Sequence, residues 1–222
     1  LMTLQGTVNK TGIMLFLALL SAMWVWRQFF VYESPQISLY LWGGAIGGFI
    51  AAMVAIFKPT TAPIVAPVYA LLEGLFLGGI SSIMEARFPG IVIQAVGLTF
   101  GTLFALLFAY KSGLIKATEN FKLGITAATG GIFLMYMVSF ILGFFGTHVP
   151  FIHGNGIIGI GISGFIVVIA ALNLVLDFDF IEQGVEQGAP KFMEWRAALG
   201  LMITLVWLYI EILHLLSKLR SR

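Results

Sequence analysis

Seven long apolar stretches alternate with short polar segments along this chain. Each stretch holds roughly 20 residues, the length that a helix needs to cross the hydrocarbon core of a bilayer. Charged residues, Pro and Gly fill the segments between them. The pattern predicts an all-α polytopic membrane protein, with seven transmembrane helices in a single domain over residues 1–222. The predicted spans cover about residues 12–32, 39–57, 64–84, 91–110, 123–145, 156–177 and 197–217.

Composition agrees with a membrane protein and excludes several function classes. Hydrophobic residues make up 59% of the 222 residues and charged residues only 10%, which is unlike a soluble domain. The absence of Cys excludes disulfides, thiolate catalysis and Cys-ligated metals. A formal net charge of +2, with the basic residues at the ends of the spans, indicates contact with lipid headgroups and no nucleic-acid partner.

The distribution of Lys and Arg over alternate loops favours a cytoplasmic N-terminus. The basic C-terminal tail would then lie outside and is the main evidence against this orientation. With the N-terminus inside, the cytoplasmic basic residues are Lys10, Lys58, Lys111, Lys116, Lys122, Lys191 and Arg196.

Two carboxyls, Glu73 and Glu211, lie in the middle of apolar spans. A carboxylate at bilayer depth costs several kcal/mol unless it is paired, protonated or hydrated, so such residues usually mark ion or proton pathways. Desolvation disfavours the charged form, and we expect Glu73 to be neutral. The structural alternative for Glu73 is a protonated acid that donates one interhelical hydrogen bond.

A polar stripe follows the seventh span. At about 100° per residue its members fall within a face roughly 80° wide, while the rest of the helix is Leu, Ile and Val. The stripe predicts that this helix lies among other helices and lines a cavity, although His214 and Lys218 are expected to reach the headgroups. The members are Gly200, Thr204, Trp207, Glu211, His214 and Lys218.

A third polar group ends the sixth span. Asn173 and Asp177 share a helix face at i, i+4, whereas Asp179 points elsewhere. Acids at a helix end are often only solvated, and that alternative stays open for Asp179.

Glycine pairs at small-xxx-small spacing predict where helices approach closely. We expect intramolecular packing, with a dimer face as the alternative. The pairs are Gly43/Gly47, Gly44/Gly48, Gly74/Gly78 and Gly97/Gly101.

Three motifs of the C-terminal third together resemble a known family. They are Leu174-Val175-Leu176-Asp177-Phe178-Asp179, then Ala189-Pro190-Lys191 with Glu194-Trp195, then Trp207-Leu208-Tyr209-Ile210-Glu211. The chain resembles the transmembrane Bax inhibitor motif family, in its bacterial Bax inhibitor-1-like branch. The resemblance implies a bacterial inner-membrane protein whose seventh helix is central and surrounded by helices 1–6.

The same resemblance implies a pH-sensitive calcium leak with a pair of acids that share protons. Asp177 matches the first acid, and Glu211 matches the second with Glu in place of Asp. Asp177 and Glu211 meet only if the sixth helix continues beyond its apolar run or the helices tilt, and Glu73 is a rival partner for Glu211. Lys58 and Arg196 are the suggested basic residues near the pair.

Physical chemistry makes such a pair sensitive to both protons and calcium. Two carboxyls within a few ångströms cannot both ionise cheaply, so one proton is shared. Deprotonated, their oxygens suit calcium as a transported or bound ion, which makes Asp177 and Glu211 the expected metal ligands. No other cofactor is expected.

Two further classes of function compete with the leak. One is a non-transporting membrane regulator that binds a partner such as a membrane protease. The other is an intramembrane enzyme, which we do not expect, because the chain lacks a Gly-x-Ser-x-Gly elbow, a His-Glu-x-x-His site and Cys.

Overall fold

Seven helices of the chain are long and apolar enough to cross a membrane, as the hydropathy pattern predicts. The computed structural model describes all 222 residues. It is all-α, with 84% of the residues in helices and no strands. The elements are α1 (Leu4–Phe30), α2 (Ile37–Phe57), a 3-10 turn (Pro59–Thr61), α3 (Ala62–Arg87), α4 (Ile91–Lys111), α5 (Glu119–Phe144), α6 (Pro150–His153), α7 (Ile157–Glu186) and α8 (Met193–Arg220).

Local sequence explains where several helices begin. The Thr3 side chain caps α1 by accepting from the Gly6 amide, and Thr118 caps α5 through the Phe121 amide. Gly90 precedes α4 with a φ of 83°, a left-handed conformation that glycine adopts without a steric cost.

The helix bounds differ most from the sequence prediction at the start of α1 and the end of α7. Helix α1 begins at Leu4 rather than near residue 12, and α7 continues to Glu186 rather than ending near residue 177. Hydropathy reports only the apolar part of a helix, whereas Gln and Glu at the end of α7 are good helix formers. The four-residue α6 was not predicted.

The chain forms two compact units, and the prediction of one domain over residues 1–222 stays a prediction. The first unit comprises Leu1–Pro89 and Asp177–Val206. Within it, glycines allow close helix packing: a Cβ on Gly78 of α3 would lie 2.6 Å from the Ala22 carbonyl oxygen of α1, and one on Gly44 of α2 would meet the Leu72 carbonyl of α3. Intramolecular packing is therefore confirmed for the 44/48 and 74/78 pairs.

The second unit comprises Gly90–Leu176 and Trp207–Arg222. Its core contains Ile125 and Ile132 of α5 packed with Ile166 and Ile169 of α7, and Trp207 of α8 lies against them. The Gly97/Gly101 pair of α4 has no atom within 4 Å of an added Cβ, so the packing expected there is absent within the chain.

Helix α8 contributes its first half to the first unit and its second half to the second. Of the seven spanning helices it is the most buried, at 61% of its apolar window against at most 44% for the others. A helix so enclosed tolerates polar side chains that lipid would exclude. The central position of this seventh spanning helix stays a prediction.

Candidate functional site

Asp177 lies in the first unit, on α7, and its carboxyl faces α8. The Thr204 side chain is hydrogen-bonded to this carboxyl, and the positive charge of Arg196 acts on it. Gly200 makes room for the group, because its Cβ would lie 3.7 Å from Asp177 Oδ1. The other oxygen, Oδ2, is buried and has no hydrogen-bond partner. Asp177 therefore has a hydroxyl and a cation nearby and one unsatisfied oxygen.

Arg196 is positioned to complement that carboxyl. Its guanidinium also lies over the ring of Phe180, 5.8 Å from the centroid, a contact that favours Arg over Lys. Arg196 was one of the two basic residues suggested by the sequence, and the structure places it beside Asp177. Lys58 follows α2 at its C-terminal cap.

Glu211 lies in the second unit, on α8, and is only 5% exposed. Tyr136 of α5 donates its hydroxyl to Glu211 Oε1 at 2.6 Å, and the Trp207 indole N–H donates to the same oxygen at 3.2 Å. The second oxygen, Oε2, is buried without a partner. The polar stripe thus correctly predicts that Glu211 faces protein.

Lys218 corrects one prediction from that stripe. The residue is 2% exposed and does not extend to the headgroups. Its ammonium donates to the Ile152 carbonyl at 2.6 Å, to Ser163 Oγ at 2.8 Å and to the Gly159 carbonyl at 3.3 Å. Three oxygens inside the second unit outcompete the headgroups because they satisfy all three ammonium donors.

Glu73 is buried in the first unit, against α2. A Cβ on Gly48 would lie 2.5 Å from Glu73 Oε2, so glycine leaves room for the carboxyl. The suggested pairing of Glu73 with Glu211 stays a prediction.

The remaining predicted residues have partners of their own. Asn173 donates through Nδ2 to Thr129 Oγ1 at 2.9 Å and to the Ile169 carbonyl at 2.8 Å. Asp179 accepts from Gln183 Nε2 at 2.7 Å. Asn173 therefore joins α7 to α5 in the second unit, and Asp179 has a local contact one turn along its own helix.

Glu194, at the start of α8, is a fully buried carboxylate that the sequence analysis named only as part of a family motif. Its oxygens accept from the Thr3 amide and hydroxyl, at 2.8 and 2.9 Å, and from Lys191 at 2.8 Å. Lys10 forms an ion pair with it. The Lys191 spacing of i, i+3 was readable in the sequence, but nothing there indicated the contact with α1.

No group of three or more His, Cys, Asp or Glu side chains could hold a metal ion. A calcium ion at Asp177 or Glu211 would therefore need backbone, hydroxyl or water oxygens as well.

Comparison with known proteins identifies the family. No curated protein and no solved structure matches the chain. A family model described as Bax inhibitor 1 like matches residues 1–221. Seven apolar helices together with that match make the chain an integral membrane protein. The chain belongs to the Bax inhibitor 1 like family.

Proposed function

We propose that the protein is a pH-regulated leak channel for cations, with calcium as the main ion, gated by a proton-sharing pair of Asp177 and Glu211. One observation carries the proposal: each carboxyl has one buried oxygen without a hydrogen-bond partner. A buried polar atom nearly always has a hydrogen-bond partner. A buried carboxyl oxygen without one is therefore a place where a proton or a cation would bind. The activity needs no covalent chemistry, and we propose that the protein is not an enzyme.

The surroundings of Asp177 support reversible protonation. Thr204 also contacts the Gly200 carbonyl, at 3.1 Å. When Asp177 is ionised, the Thr204 hydroxyl can donate to it; when Asp177 carries the proton, the hydroxyl can accept from Asp177 and donate to Gly200. The Thr204 contact thus suits both protonation states.

The helix that carries Asp177 also meets one requirement of the pair. Because α7 continues to Glu186, Asp177 lies well inside a helix rather than at a frayed end. Arg196 would stabilise the ionised form of Asp177. The pairing of Asp177 with Glu211 and the cytoplasmic N-terminus in a bacterial inner membrane are parts of this proposal.

Calcium and protons should compete for the same oxygens. Calcium binds ionised carboxylates, so its binding weakens as the pH falls and protons occupy the oxygens. Purified protein should therefore bind calcium more weakly at acidic pH. The same affinity across the range would contradict a shared site.

The decisive experiment measures calcium flux into proteoliposomes as a function of pH. Wild-type flux should depend on pH, and Asp177→Asn or Glu211→Gln should abolish that dependence, because an amide keeps the shape and removes the titration. Glu119→Gln is the control, since the Glu119 side chain is 93% exposed at the start of α5. Persistent pH dependence in both variants would place the sensor elsewhere.

If wild-type protein leaves the calcium gradient of the proteoliposomes intact at every pH, the leak hypothesis is wrong. That result would favour the second hypothesis, a regulator that binds a membrane-protein partner such as a protease.

A further inference from the structure

The Lys218 ammonium lies in a site formed wholly by neutral oxygens. Its three acceptors are two backbone carbonyls, of Ile152 and Gly159, and the hydroxyl of Ser163. Both Lys218 and Ser163 are 2% exposed. The buried ammonium is compensated by dipoles alone at contact distance, which is the environment that proteins provide for a bare metal cation.

The local backbone explains how the three oxygens converge. Helix α6 is only four residues long, so the Ile152 carbonyl lies in a last turn, where carbonyls have no intrahelical partner. A side chain on Gly159 would overlap the Gly154 carbonyl, so glycine is needed for the close approach. Ser163 follows one turn later on the same face of α7. The last turn of α6, Gly159 and Ser163 thus form a preorganised site of three oxygen atoms.

The charge of the ammonium indicates which ion would fit the three oxygens. The ammonium carries a single positive charge, and three neutral oxygens give no negative charge to offset a divalent ion. Carbonyl and hydroxyl oxygens are the ligands of hard cations, and a monovalent ion keeps the charge balance unchanged. Sodium or potassium is therefore the ligand class of this site once the lysine is removed.

The location of the site links it to the cation path. Lys218 lies seven residues after Glu211 on α8, which places both on one helix face, about 10 Å apart along the axis. Glu211 is the carboxyl whose charge acts on Lys218. A cation that left Glu211 along this face would meet a fixed positive charge.

We propose that the Lys218 ammonium occupies a monovalent-cation site formed by the Ile152 and Gly159 carbonyls and Ser163 Oγ, and so acts as a tethered blocker of cation flow. The blocking role rests on the proposed leak function, whereas the cation site does not. Removal of the ammonium opens the site to sodium or potassium and removes a positive barrier.

The first test measures the thermal unfolding midpoint of the full chain in detergent. Lys218→Met keeps much of the side-chain length without the charge, and Lys111→Met, an exposed lysine at the end of α4, is the control. The midpoint of Lys218→Met should rise with sodium or potassium and saturate, relative to equal N-methylglucamine chloride, because ligand binding stabilises the folded state. The wild type and the control should not respond.

Adding Ser163→Ala to Lys218→Met should remove the rise of the midpoint with sodium or potassium. This result would distinguish a specific cation site from a general salt effect. If Lys218→Met does not fold, Lys218→Gln, which replaces the ammonium with a neutral amide one atom shorter, should show the same response, reduced in size. Equal midpoints in all salts for the folded variant would overturn the proposal.

The second test measures sodium and calcium flux into liposomes at fixed pH. Lys218→Met should pass cations severalfold faster than the wild type and Lys111→Met. A salt-dependent midpoint with no flux in any variant would retain the cation site and reject the leak. A pH-dependent wild-type flux that Lys218→Met does not raise, together with a midpoint of Lys218→Met that does not respond to salt, would retain the leak and reject the site.

Discussion

Two buried carboxyls of α8, Glu194 in the first unit and Glu211 in the second, have opposite surroundings. Glu194 is fully buried and accepts from the Thr3 amide and hydroxyl and from Lys191, with Lys10 as an ion-pair partner. Glu211 has two donors on one oxygen and none on the other. Both are acids on the same helix, yet only Glu194 has both oxygens satisfied.

The difference separates a stabilising carboxylate from one suited to exchange. A buried charge is stable only when opposite charges and hydrogen bonds replace water, and Glu194 has both. The ion pair joins the start of α8 to α1, and the Met2 amide adds a bond of 2.7 Å to the Ala189 carbonyl just before that helix. Glu211 has only neutral donors, and its oxygen without a hydrogen-bond partner can bind a proton or a cation.

The largest expected effect follows from breaking the Glu194 cluster. Glu194→Gln keeps the shape but leaves Lys10 and Lys191 without a charge partner, and we expect a loss of about 3 kcal/mol in the free energy of unfolding. Chemical denaturation in detergent measures it, with Glu119→Gln as the exposed control. Any remaining flux should keep its pH dependence. Wild-type stability of Glu194→Gln would mean that the cluster contributes nothing to the fold.

The second prediction tests the space that the cluster occupies. A Cβ on Gly6 would overlap the Glu194 carboxyl, whereas one on Gly12 of the same helix meets nothing within 4 Å. Gly6→Ala should therefore lower the free energy of unfolding by about 2 kcal/mol, as overpacking does. Gly12→Ala should be neutral or stabilising by up to about 1 kcal/mol, because alanine favours the helix. Equal stability of the two variants would contradict this account.

The fold was largely predictable because membrane spans leave a strong local signal. Every predicted span corresponds to a long helix, and the end of α2 at Phe57 and the start of α4 at Ile91 match the prediction. The end of α7 was missed because its last turns are polar, and hydropathy cannot distinguish a polar helix from a loop.

The site was only partly predictable, because its partners are distant in sequence. The periodicity of α8 predicted that Glu211 faces protein, but Tyr136 lies 75 residues away in an apolar helix without a distinguishing pattern. Lys10 lies 184 residues from Glu194. The acceptors of Lys218 include backbone carbonyls, which leave no signature in side-chain identity.

The third prediction extends the comparison to Glu73, another buried acid of the first unit. A Cβ on Gly48 would lie 2.5 Å from Glu73 Oε2, so Gly48→Ala should displace the carboxyl and cost about 1–2 kcal/mol. Gly43→Ala, with nothing within 4 Å, is the matched control. If Glu73 belongs to the ion path, Gly48→Ala and Glu73→Gln should both change calcium flux or its pH profile. Wild-type flux in both would make Glu73 a packing residue.

The smallest effect on stability is expected from Tyr136→Phe, which removes one of the two donors of Glu211 Oε1. Trp207 continues to donate at 3.2 Å, so the loss in stability should be about 1 kcal/mol. The ionised carboxylate loses a hydrogen bond and the proton binds more readily, which should move the pH profile of calcium flux towards higher pH without abolishing it. Tyr32→Phe, at an exposed tyrosine of the first unit, is the control. If Tyr136→Phe leaves the pH profile of calcium flux unchanged while Glu211→Gln abolishes the pH dependence, the titration of Glu211 does not depend on the hydrogen bond from Tyr136.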